Sequence, residues 1–140
     1  MITRKKTLLG FLVMLAAFLA PFIALANKGS VKIEAPATAK KGEEVTIKLN
    51  VSHCCVTKMH YVNWAYLDIN GAEKKKWAYS SKELPPAAEF SLSYKYKVEG
   101  DTKLKAEANC NIHGSSGPAM AEIKLAPDEM KEQPQGNPGY

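Results

Sequence analysis

The run Cys110-Asn111-Ile112-His113-Gly114 carries a thiol and an imidazole with only two residues between them. A soft sulfur donor and a borderline nitrogen donor on one tight turn suit iron, copper or zinc, whereas magnesium and calcium favour oxygen ligands. A second segment, Ser52-His53-Cys54-Cys55-Val56-Thr57-Lys58-Met59-His60-Tyr61, adds two more imidazoles. The chain has three histidines, and all of them fall in these two segments. The candidate metal ligands are therefore His53, His60, Cys110 and His113. Three cysteines, Cys54, Cys55 and Cys110, leave at least one without a disulfide partner. Two readings stay open: metal holds Cys110 as a thiolate, or Cys110 pairs with one of the other two. Cys54, Cys55 and Met59 are further sulfur donors by type, but the plainer expectation is that they pack as small or flexible apolar side chains.

Such a site must be held by the elements around it, and those read as strands. Val45, Ile47, Leu49 and Val51 alternate with Thr46, Lys48 and Asn50; Phe90, Leu92, Tyr94, Tyr96 and Val98 alternate with Ser91, Ser93, Lys95 and Lys97. Leu104, Ala106, Ala108 and Cys110 make a third apolar row, which turns Cys110 inward. A period of two marks half-buried strands. Further strands are expected over 30–35, 60–69, 73–80 and 119–125, giving seven. Lys41-Gly42, Asn70-Gly71, Pro85-Pro86, Glu99-Gly100-Asp101 and residues 114–118 supply turn chemistry between them, with Asn70-Gly71 favouring a primed two-residue hairpin turn. Seven short strands so spaced predict an all-β fold, an immunoglobulin-like antiparallel β-sandwich. Trp64, Trp77, Tyr94 and Tyr96 fall at strand spacing, as packing residues do.

The ends read differently. Residues 1–26 have the basic start (Arg4, Lys5, Lys6), apolar stretch and Ala24-Leu25-Ala26 ending of a secretory signal peptide, so a processed chain is expected to begin at Asn27 in the periplasm or outside the cell. The domain is expected over 27–126, and the proline- and glycine-bearing segment 127–140 reads as a disordered tail. Loss of the leader removes three of nineteen basic side chains and none of fourteen acidic ones, so sixteen positives face fourteen negatives and the net charge falls from +5 to +2. That balance gives no basis for nucleic-acid binding, and no membrane association is expected after cleavage. Serine–histidine–acid, phosphate-loop and paired-carboxylate patterns are missing from the sequence, and nothing in it indicates an oligomeric state.

Three pieces, Ile33-Glu34-Ala35-Pro36, His60-Tyr61-Val62-Asn63-Trp64 and Cys110-Asn111-Ile112-His113-Gly114, resemble in order and separation the iron-binding domain of the superoxide reductase family, which includes the desulfoferrodoxins and neelaredoxins. The resemblance spans about residues 28–125. It implies a seven-stranded immunoglobulin-like sandwich and a mononuclear non-haem iron held by four equatorial histidines and one axial thiolate. It assigns the thiolate to Cys110, one imidazole to His113, and the upstream pair to His60 and His53. Lys58 takes the place of a lysine that attracts superoxide and is the candidate catalytic residue. The resemblance also implies reduction of superoxide to hydrogen peroxide, with an external electron donor.

The chain departs from the family at two points. Cys54 stands where a proline usually follows the first histidine of the pair. Gly29 aligns with the remaining histidine and Asn27 with a glutamate, which leaves three imidazoles and one thiolate. The amino group of a processed Asn27 would lie close enough in sequence to substitute for the missing ligand. Two other functions remain open: a non-catalytic metal-binding or carrier module on the same fold, with zinc in a closed site, or a copper electron-transfer protein using Cys110, His113 and Met120 with an upstream histidine.

Overall fold

Strand β3 (Glu44–Ser52) shows how the sequence pattern becomes architecture: Val45, Ile47, Leu49 and Val51 are buried and the residues between them face outward. The computed structural model describes residues 27–127; the expected signal peptide, 1–26, and all but the first residue of the expected disordered tail, 128–140, lie outside the described residues. β3 pairs with β1 (Ser30–Glu34) on one side and with β6 (Glu89–Lys97) on the other, both antiparallel. These three strands form one sheet, ordered β1-β3-β6. The second sheet has five strands in the order β2-β8-β7-β4-β5, from β2 (Thr38–Ala39), β8 (Ala119–Leu125), β7 (Thr102–Cys110), β4 (Val62–Ile69) and β5 (Ala72–Ala78). No helix occurs among the described residues.

The fold is thus the expected all-β sandwich, with one element that the sequence pattern did not announce. Thr38–Ala39 adds an eighth strand, which pairs parallel with Lys124–Leu125. Two residues are too few to display a period. β4 starts at Val62 rather than at 60, because Thr57 and His60 close a tight turn that holds His60 off the ladder. Asn70 and Gly71 both take positive φ, 52° and 82°, as a primed hairpin turn requires. Lys74, Lys75 and Lys76 lie exposed on the edge strand β5, where charge discourages pairing with another chain.

Between the sheets, Ile47 and Leu49 meet Ala65, Leu67, Ile69, Leu104, Ala106, Ala108 and Ile123, all almost wholly removed from water. Each of the isoleucines and leucines contributes about 1.5–3 kcal/mol. Phe90, Leu92, Tyr94 and Tyr96 on the edge strand β6 are only partly covered, although they form its inward row. Trp77 packs on the core, while Trp64 stacks with Tyr66 two residues along the same face, ring centroids 5.8 Å apart.

Register then decides where chemistry can sit. Ser30 pairs with Ser52 in one sheet, and Val62 pairs with Cys110 in the other. The start of β1, the end of β3, the start of β4 and the end of β7 each adjoin a residue singled out by sequence: Gly29, His53, His60 or Cys110. Backbone hydrogen bonds bring the sheets together there: Gly29 N donates to Gly114 O (3.0 Å) and Ser116 N to Gly29 O (2.9 Å).

Candidate metal centre

The last residue of β7 supplies the sulfur. Cys110 is 1% exposed, as its place in the inward row requires. Beyond it the chain folds straight back: Cys110 N donates to Gly114 O (2.9 Å) and Gly114 N to Cys110 O (3.0 Å). Gly114 closes this loop at φ 79°, a conformation that costs little without a Cβ. The turn aims Ile112 N and His113 N at Cys110 Sγ, each at 3.4 Å. The sulfur thus accepts from two backbone N–H groups of its own turn. His113 Nδ1 lies 3.8 Å from the same sulfur.

The second loop is built by Thr57, whose Oγ1 accepts from Met59 N (3.3 Å) and His60 N (3.0 Å). Threonine is suited to this role because its hydroxyl can stand in for a backbone acceptor in a turn. His60 is thereby presented with Nε2 3.0 Å from His113 Nδ1 and Nδ1 3.1 Å from Cys55 Sγ. Asn111 fastens the two loops: its Oδ1 accepts from Tyr61 N (3.0 Å), its Nδ2 donates to Met59 O (3.0 Å), and its backbone N donates to Tyr61 O (3.0 Å). The sequence reading passed over this residue, although an asparagine inside a candidate metal turn is a signal for such bonding. Beneath it, Asn63 is the extra residue of a bulge opposite β7 and accepts from Asn109 Nδ2 at 2.8 Å.

The candidate ligands fall into two groups that share His60. Donor atoms of His60, Cys110 and His113 lie within 4.8 Å of one another; so do those of His53, Cys54, Cys55 and His60. Bond lengths of about 2.0–2.3 Å to one ion place tetrahedral donors about 3.3–3.8 Å apart, so shifts of about 1 Å would close either set on a metal. His53 stands with the cysteines. Its Nδ1 is 2.8 Å from Cys55 O and its Nε2 3.1 Å from Asn27 O, with Cys54 Sγ 3.9 Å from Nε2. A proton on Nδ1 satisfies the first carbonyl, the arrangement usual for metal-binding histidines, and a metal on Nε2 would take the place of the Asn27 carbonyl contact. Lys58 is exposed at the tip of the Thr57–His60 turn.

Cys54 and Cys55 are not packing residues, contrary to expectation. Cys54 is exposed, Cys55 half-buried, and their sulfurs lie 2.9 Å apart; Met59 is 81% exposed. They sit on a loop outside the sandwich, where strand alternation cannot bury them. Cys110 has no cysteine partner, which removes the disulfide reading. Met120 faces solvent at 67% exposure, on the outer side of β8, which does not suit the thioether ligand of the copper reading.

The titration of Cys55 and His60 is perturbed. The hydrogen bond with Cys54, together with burial and the neighbouring thiols, pushes Cys55 up to about 11. Burial, then the charges of His53 and His113, lowers His60 below its ordinary value, so the ring is neutral and available as a donor at neutral pH.

Gly29 is where the departure from the resemblance becomes physical. A Cβ there would lie 2.9 Å from Ala108 O and 3.0 Å from the carbonyl carbons of Ala108 and Asn109. All three are backbone atoms of β7, so the chain passes too close for any side chain at this position.

A β-sandwich with histidines and a buried cysteine gathered at one end defines a metal-binding domain of the superoxide reductase type. A family model described as Desulfoferrodoxin matches residues 23–115, and the chain belongs to that family. Among solved structures it is similar to the superoxide reductase (neelaredoxin) from Ignicoccus hospitalis, with 23% identity, a TM-score of 0.61, and coverage of 74% of this chain and 86% of that one. A candidate superoxide reductase from Thermotoga maritima is 21% identical, with a TM-score of 0.53 and coverage of 69% and 86%. At such identities the likeness establishes the fold. A search of curated proteins found no match.

Proposed function

We propose that the protein is a periplasmic non-haem iron protein that reduces superoxide to hydrogen peroxide, with His60, Cys110 and His113 as the iron ligands and His53 ligating metal from the adjoining loop. One observation carries this reading: two loops some fifty residues apart in sequence, 53 by the His60–His113 pairing, converge on a buried sulfur that accepts two backbone N–H groups. When bound, iron supplies a one-electron ferrous–ferric couple that converts superoxide and two protons to hydrogen peroxide. Cys110 supplies the negative charge that favours the oxidised metal, and burial limits competition from water for its sulfur. His60 and His113 fix the ion at the protein edge, where a small anion has access. Lys58, exposed beside His60 in the chain, attracts that anion, an effect that added salt weakens. Protons come from water, and electrons come from an external donor. The signal-like leader supports a periplasmic location.

Pulse radiolysis of the iron-loaded protein tests the assignment. Prompt decay of superoxide, lost in Cys110→Ser, is the expected result. Equal decay in the two proteins refutes the reading and leaves a metal-binding module on this fold.

A further inference from the structure

The two nitrogens of His60 face in different directions. Nε2 meets the Cys110–His113 side, whereas Nδ1 is 3.1 Å from Cys55 Sγ. On that second side stand Cys54 Sγ, 2.9 Å from Cys55 Sγ, and His53 Nε2, 3.9 Å from Cys54 Sγ. We propose that His53, Cys54, Cys55 and His60 form a second metal site, for a thiophilic closed-shell cation such as zinc or cuprous copper, distinct from the Cys110 centre and sharing only the His60 ring with it.

The chemistry of the donors selects that class of ion. Two thiolates and two imidazoles are the set that zinc takes in tetrahedral coordination, and cuprous copper shares the preference for sulfur. The neighbouring centre offers one sulfur, so the two sites differ in softness. Donor spacing is compatible with closure: tetrahedral bonds of about 2.3 Å place two sulfurs about 3.8 Å apart, so the thiols need to separate by roughly 1 Å. Both belong to a loop at the protein edge, with Cys54 exposed, and nothing in the core must move for this. His53 is already oriented by the Cys55 carbonyl on Nδ1, and a metal on Nε2 would displace the contact that this nitrogen makes with Asn27 O at 3.1 Å. The second site accounts for two adjacent cysteines outside the core that superoxide chemistry at Cys110 does not use.

Filling both sites would make His60 an imidazolate bridge, with one nitrogen on each ion and the ring N–H proton released to solvent. The site shares His60 with the proposed iron centre, but Cys54 and Cys55 take no part there, so it can be tested apart from the superoxide assignment.

The test is metal stoichiometry by native mass spectrometry on reduced, chelator-stripped protein titrated with zinc under anaerobic conditions, with cadmium–thiolate absorption as a second readout. Two ions per chain are expected for the native protein, one for the Cys54→Ser/Cys55→Ser double variant, and one for Cys110→Ser. The cadmium–thiolate band of the double variant should fall by roughly two-thirds, because one of three thiolates remains. A double variant that binds as many ions as the native protein, with an unchanged band, overturns the proposal and leaves the Cys110 reading intact. Loss of zinc on changing Cys54 and Cys55, with no loss in Cys110→Ser, upholds the second site and removes the first.

Discussion

Gly29→His is the substitution that family resemblance recommends for completing the four-histidine set, and the backbone geometry predicts that it fails. The Cβ of any residue at 29 would sit 2.9 Å from Ala108 O. Ala108 is fully buried on β7, which is hydrogen-bonded to both β4 and β8, so it cannot retreat. The chain entering β1 must lift away instead. That motion strains Gly29 N to Gly114 O (3.0 Å) and the two bonds from Ser116, N and Oγ, to Gly29 O (2.9 and 3.0 Å). Overpacking costs about 1–3 kcal/mol, and each lost hydrogen bond about 0.5–1.5 kcal/mol. Allowing for one such bond, the loss is about 2–4 kcal/mol, or about 10–30 °C in Tm for a domain of this size. Gly29→Ala isolates the Cβ and should account for most of that loss. Thermal unfolding of the two variants, followed by circular dichroism, gives the magnitude, and pulsed electron paramagnetic resonance of the iron-loaded Gly29→His protein counts coordinated imidazoles. Native-like Tm values, or an added histidine ligand in Gly29→His, would refute the reasoning.

Asn111→Ala removes the side-chain bonds to Tyr61 N and Met59 O; it should lower stability by about 1–3 kcal/mol and metal affinity by about 10–100-fold, read by denaturant titration and chelator competition. In the metal-free protein His60 is held below its ordinary 6.5 by burial and the neighbouring imidazoles, so the folded chain binds fewer protons than the unfolded one near that pH. Its contribution to stability is therefore present above that range and lost as pH falls through it; unfolding at pH 5.5 and 7.5 should show a smaller difference in His60→Gln. Cys55, raised from 9.0 to about 11, has the opposite sign. The folded chain retains the proton, so its contribution is present below pH 9 and lost as pH rises towards 11, and iodoacetamide should label Cys55 faster in denaturant than in the native state at pH 9.

How much of this was legible in the sequence follows from which physical rule each residue obeys. Period-two alternation gave the sandwich and the inward Cys110, because burial on one face leaves that pattern directly in the chain. Asn70-Gly71 specified its turn through the demand for positive φ. The family motifs located His60, Cys110 and His113, which the structure brings together. Loop geometry has no comparable periodicity. Nothing in the order of residues 53–60 says that Cys54 and Cys55 turn their sulfurs toward each other and toward His60, and the alternation of β3 invites the view that they continue its packing. Asn111 escaped notice for a related reason: its partners are backbone groups of Met59 and Tyr61, whose amino-acid types carry no sign of the bond. Thr38–Ala39 is simply too short to show a period.

The glycine at 29 and the thiols at 54 and 55 are two sides of one local rearrangement. Because residue 29 has no side chain, its backbone lies flush on β7 and accepts two bonds from Ser116. That close passage carries the preceding residues over the site, where Asn27 O reaches 3.1 Å from His53 Nε2. The strand that would have supplied an imidazole to the Cys110 centre supplies a carbonyl to His53 instead. His53 is in turn fixed from its other side by Cys55 O, which places both sulfurs next to His60. A histidine side chain at position 29 would need the chain to stand off from β7, and that displacement would move Asn27 away from His53. The two arrangements of this edge therefore exclude each other sterically: four imidazoles around one ion, or a glycine-seated strand with a sulfur-rich loop beside it. The hydrogen bonds that Gly29 donates to Gly114 O and accepts from Ser116 hold this chain in the second.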